Sequence, residues 1–107
     1  LRGADLNWAR LNAAALSQAD LSRADLSRAD PSHADLSHAT LTEASLNSAI
    51  LIGANLSDTD LRGTQLNGAH LGGANLSDAD LDHTDLGGAT YNRNQLKDAI
   101  NVDEAKL

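Results

Sequence analysis

The sequence predicts an all-β solenoid, a chain that bends once every five residues and stacks its coils around one continuous core. Three observations predict it. Counted in fives from Leu1, the chain places Leu at every step to Leu26, Pro at 31, Leu again from Leu36 to Leu86, and then Tyr91 and Leu96. Two residues before each of these central positions stands Ala, unbroken from Ala4 to Ala54, and then Ala or Thr as far as Ala89. The places between and after are rich in Asp, Ser and Gly, residues that favour turns. The unit reads Ala-Asp-Leu-Ser-x.

Neither regular element accommodates that spacing. On a helix each residue turns by about 100°, so Leu at every fifth place advances about 140° per repeat and spreads around the whole cylinder. On a flat strand side chains alternate, so an odd spacing sends successive Leu residues to opposite faces and exposes half of them. A bend in every unit keeps each Ala and Leu pointed at the same interior. Fixed-period sequences of this kind stack their coils and bury one shared core.

The runs Ala19-Asp20-Leu21-Ser22-Arg23 and Ala74-Asn75-Leu76-Ser77-Asp78 closely resemble the pentapeptide-repeat family, and the resemblance extends from Leu1 to about Ala99. It implies a right-handed quadrilateral β-helix with four pentapeptides per coil. About five coils then stack at ~4.8 Å each into a rod on the order of 25 Å long. Residues 1–93 are read as the β-helix, and residues 94–107 as the last repeat and a C-terminal cap.

Composition narrows the function classes. Hydrophobic residues make up 41% of 107, but Phe, Met and Cys are absent and Trp8 and Tyr91 are the only aromatics. A core of Leu and Ala must be thin and regular. With 15 acidic residues against 8 basic ones the formal charge is -7, which disfavours direct binding to nucleic acid or to an anionic membrane. Without Cys there are no disulfides or thiolate metal sites. No apolar run approaches the roughly 18 residues of a membrane span, so the chain reads as soluble, with the cytoplasm favoured over periplasm or thylakoid lumen. Leu1 falls in mid-pattern, which reads as a processed product or a piece of a longer protein.

Along the chain, the first departure is Pro31, which replaces a central Leu and removes one inter-coil donor. Gly3, Gly53, Gly63, Gly68, Gly73 and Gly88 all occupy the last place of the unit, where the turn calls for positive φ. No Lys-Ser/Thr follows them to open a helix, so they are not a phosphate-cradling loop. After Tyr91 the pattern decays, with Asn94 at an Ala place and Asn101 at a Leu place. A short helix or irregular cap suits that segment better than a further coil, because an uncovered end invites pairing. End-to-end homodimerisation is the functional variant there. At the other end, Trp8 and its neighbours have no comparable cover.

No catalytic, cofactor or metal site emerges. None of His33, His38, His70 and His83 lies twenty residues from another, so they do not converge as ligands. The column Ser17, Ser37, Ser57 and Ser77 has no His with an Asp behind it. The Asp before each Leu is expected to accept hydrogen bonds from the turn backbone.

Folding the sequence by twenties leaves two candidate surfaces. Asp58, Asp78 and Asp98 stack in one column beside Asp60 and Asp80, with Asp82 nearby, as an acidic edge. Ile50 and Ile52 flank Leu51 and point outward, above a floor of Gly72 and Gly73. The expectation is a non-catalytic structural or protein-interaction scaffold, of a kind abundant in cyanobacteria, with an unknown protein partner and no cofactor. The alternative rests on the resemblance, since some members mimic DNA and occupy type II topoisomerases. Arg23, Arg28, Arg62 and Arg93 interrupt the negative surface, and the central Phe common in those members is missing.

Overall fold

In every unit the N–H of the Ala or Thr donates to the carbonyl of the central residue three places earlier, from Ala4 to Leu1 (3.0 Å) through Ala89 to Leu86 (3.0 Å). The residue before that Ala or Thr always has positive φ, between +56° and +70°, whereas the one before it does not. This is a type II turn, repeated without interruption. Glycine fills the strained place six times; Trp8, Ala13, Gln18 and Arg23 are among the side-chain-bearing residues held there too. The expected turn is therefore general, and glycine marks only part of it.

The structure, a computed structural model, covers residues 1–107. Between turns, each short extended step pairs with the coils on either side. Leu6 N–H donates to Asp25 O at 2.7 Å, Gly3 N–H to Ser22 O at 2.9 Å, and Asp25 N–H back to Ala4 O at 2.9 Å. Parallel bridges accordingly join Asp5 to Asp25, Arg10 to Asp30, Ala15 to Asp35 and Asp20 to Thr40, and so on up the chain. One coil is thus twenty residues, or four pentapeptides, and the chain makes about five coils. Each side contributes a single bridged residue, so the all-β architecture consists of isolated bridges and holds no extended strand. The molecule measures 30 × 24 × 22 Å.

The interior is the predicted stack of Leu and Ala. From Leu21 to Leu86 every central Leu is buried, as are the Ala residues from Ala24 to Ala79. Thr59, Thr64 and Thr84 take Ala places and are buried, and their hydroxyls donate to the carbonyls of Leu36 (3.0 Å), Leu41 (2.7 Å) and Leu61 (2.6 Å) in the preceding coil. That bond is what makes a hydroxyl admissible in an apolar tube. The first coil is open: Leu6, Leu11 and Leu16 are half-buried and Leu1 is exposed. Trp8 lies outside with the Arg28 guanidinium 5.4 Å from its ring centroid.

Pro31 interrupts the ladder where expected. The Asp30–Ile50 bridge is the missing step in its column, and the Ile50 carbonyl accepts no hydrogen bond, although the Ile50 N–H still donates to Ala29 O at 3.0 Å.

The C-terminal segment is more ordered than a simple cap. Two 3-10 helices form at Arg93–Leu96 and Val102–Glu104, yet Ile100 still bridges Asp80 and Lys106 bridges Asp85. The last pairing is one residue out of register, because the Val102–Glu104 turn inserts an extra residue. The Gln95 amide joins cap to coil. Its oxygen accepts from Asn92 N–H (2.6 Å), and its nitrogen donates to Leu71 O (2.6 Å) and Ala74 O (3.0 Å), in place of the missing Asn75 pairing. No helix is long and apolar enough to cross a membrane.

Candidate functional site

The places either side of each central Leu carry the surface. At the place before it, every Asp or Asn accepts a hydrogen bond from the N–H two residues on, as in Asp20 with Ser22 (3.1 Å), Asp60 with Arg62 (3.2 Å) and Asn75 with Ser77 (3.0 Å). These side chains are turn braces. The Ser22 and Ser37 hydroxyls add bonds of 2.6 Å to Asp20 and Asp35 and hold those carboxyls below the usual range. For Asp60 the largest cause is the Arg62 side chain, and for Asp85 it is the Gly87 N–H.

The acidic edge comes together in two neighbouring columns, with one of its carboxylates, Asp60, paired with a cation, Arg62. Asp60 bridges Asp80, while the Asp58 N–H donates to Ser77 O and the Asp78 N–H to Asp98 O, which stacks the two columns. Arg62 grips Asp60 through two bonds of 2.8 and 2.7 Å. His38 lies 3.8 Å from Asp58, His83 lies 2.7 Å from Asp82, and Asn101 donates to Asp80 at 2.8 Å. Asp78 and Asp98 have no side-chain partner. Sequence folding by columns missed the grip of Arg62 because it comes from two residues along the chain.

The same folding holds unread signals. Trp8 over Arg28, Arg23 with Glu43 (3.1 Å) and His38 with Asp58 are all pairs twenty residues apart. Gly63 likewise leaves a notch between Glu43 and His83, a polar groove of about 370 Å³ whose Arg62 and Asp82 are already paired. The two His–Asp pairs have no hydroxyl bonded to the imidazole, and no three His, Asp or Glu side chains converge as they would around a metal ion.

The apolar face is different in kind. Ile50 and Ile52 are 37% and 45% exposed on either side of buried Leu51. Below them the Gly53 N–H donates to Gly72 O at 2.9 Å, and a side chain at Gly72 would begin 4.0 Å from the Ile52 Cγ1. Gly73 has open space above it, with the Gly53 backbone nitrogen 4.0 Å from where a Cβ would sit. The His33 ring rests on Gly53 and closes the upper side. In this apolar shelf Ile52 lies over the bare backbone of Gly72, while Ile50, on the other side of Leu51, bridges His70 in the next coil.

Comparison with known proteins agrees with this architecture. The sequence profile for Pentapeptide repeats (8 copies) matches residues 1–30, 32–68 and 54–90, breaking at Pro31. A pentapeptide repeat protein from the cyanobacterium Cyanothece 51142 is 33% identical over 86% of this chain, with a TM-score of 0.71; the chain spans 58% of that protein's length. A pentapeptide repeat protein from Nostoc Pcc 7120 is 35% identical over 96% of this chain and 84% of its own, with a TM-score of 0.66. No curated protein matches the sequence. With the uninterrupted type II turns, the twenty-residue register and the profile match over most of its length, the chain belongs to the pentapeptide-repeat family.

Proposed function

We propose that the chain is a non-catalytic structural or protein-interaction scaffold whose contact face is the shelf of Ile50, Ile52, Gly72 and Gly73. The observation that carries this reading is the exposure of Ile50 and Ile52 on either side of Leu51, with Ile52 over the side-chain-free Gly72, on a wall whose other outward places are mostly polar. A flat backbone floor beside apolar side chains suits the insertion of a partner's aliphatic or aromatic group. The winding is taken as right-handed, with residues 1–93 as the scaffold and 94–107 as its terminal piece. Pull-down with the wild type and with Ile50→Asp/Ile52→Asp tests the face. The double variant is expected to lose the captured partner; an unchanged set of captured proteins overturns the assignment.

The rival reading is an acidic DNA mimic acting on a type II topoisomerase through Asp58, Asp60, Asp78, Asp80, Asp82 and Asp98. The Arg62 guanidinium on Asp60 weakens it, because it breaks the run of free negative charge that a mimic needs. Gyrase supercoiling is expected to proceed unchanged as the protein is titrated in. Inhibition that disappears on changing Asp78 and Asp98 to Asn would reverse that preference.

A further inference from the structure

The C-terminal end carries a second surface, unrelated to the isoleucine shelf. Between the two 3-10 helices lies a groove of about 330 Å³ lined by Arg93, Leu96, Lys97, Ala99, Val102 and Leu107. Its floor is apolar: Leu96 is the last buried Leu of the stack, Ala99 and Val102 are half-buried, and Leu107 is exposed. Its rim holds two cations. On a chain with 15 acidic and 8 basic residues, basic side chains find carboxylates easily. Arg2, Arg23, Arg62 and Lys106 do so, and Arg28 stacks on Trp8. The other three, Arg10, Arg93 and Lys97, have no acidic partner within 4.0 Å, and the last two sit together on this rim.

We propose that this groove docks an acidic segment of a partner protein, with the segment's apolar side chains on the Leu96–Val102 floor and its carboxylates on Arg93 and Lys97. Charge decides the occupant. An apolar floor alone accepts any aliphatic group, whereas two unpaired cations beside it select carboxylates and reject a basic or neutral segment. The volume lies at the small end for binding pockets and suits a few side chains of an extended segment. A second copy of this chain is the competing occupant: its Asp-Leu steps, such as Asp60-Leu61 and Asp80-Leu81, keep the Leu fully buried, which leaves it only scattered exposed apolar residues such as Trp8, Ile52 and Ile100 to offer.

The test is fluorescence anisotropy with a labelled peptide, Asp-Leu-Leu-Asp-Leu-Glu, against versions with Ser for Leu or Lys for each acid. Saturable binding of the first peptide alone is expected, weakening as salt rises because the rim charges are exposed. Arg93→Glu/Lys97→Glu should weaken it on the order of tenfold and admit the Lys peptide instead. Ile50→Asp/Ile52→Asp should bind normally, which separates this site from the shelf. Equal binding of the Lys peptide, or indifference to the rim variants while their urea midpoints match wild type, overturns the proposal. So does a dimer in sedimentation equilibrium that the rim variants abolish and the peptide does not displace, since the occupant is then a second copy.

Discussion

An L-residue at positive φ is strained, and this wall requires a positive φ in every pentapeptide up to Ala89. The left-handed conformation costs an L-residue about 1–2 kcal/mol, while glycine brings an entropic penalty of roughly 0.5–1 kcal/mol. Ala13, exposed and held at φ +59°, is the clean place to measure the difference. Ala13→Gly should stabilise the protein by about 0.5–1 kcal/mol in urea unfolding; a loss instead would mean that the turn does not strain its occupant. The braces titrate in a definite direction. Asp20, Asp35, Asp60 and Asp85 have carboxyls held below the ordinary 3.8 in the folded chain. Their stabilisation is complete above that value and is lost as pH falls through the depressed folded values. The urea midpoint should stay flat from about pH 7 to 5 and fall below about pH 4. A midpoint unchanged at lower pH would show that these bonds are equally strong in the unfolded chain.

Among the elements, the coil holding Pro31 is the weakest internal rung. Pro31→Leu restores an N–H opposite the free Ile50 carbonyl and the side chain found at the same place in the coils above and below. One hydrogen bond is worth about 1 kcal/mol, and losing the proline's restriction of the unfolded chain gives back roughly 0.4–1 kcal/mol. Added side-chain burial tips the balance, so a gain of about 1 kcal/mol is expected. A less stable variant would show that the coil is shaped around the ring. This step was legible in the sequence because a missing donor needs no coordinates. The turn braces were legible for the same reason, since Asp two residues before an N–H is a local arrangement. The C-terminal segment was legible only as a break in the pattern. Its residual bridges, shifted register and Gln95 bond depend on side chains that no period dictates, and so does the groove they leave.

At the scale of the molecule, the Leu and Ala spacing made the bend and the common interior legible, because covalent spacing alone decides which side chains share a face. It left the coil length open, which the family resemblance supplied and the Asp5–Asp25 type of bridge bears out. Each coil touches only its neighbours, so stability is a sum along the axis and not a property of one closed core. Amide exchange should therefore be slowest in residues 41–80 and fastest in the first coil, where Leu1 is 63% exposed. Uniform protection from end to end would mean that the stack opens as one unit. The twenty-residue register also governs how such a chain can lengthen. Duplicating one full coil would lift everything beyond it by ~4.8 Å without rotation, whereas duplicating a single pentapeptide would swing it a quarter turn about the axis. By that geometry, small insertions between Gly73 and Ala89 would act as a dial that re-aims the C-terminal groove relative to the isoleucine shelf.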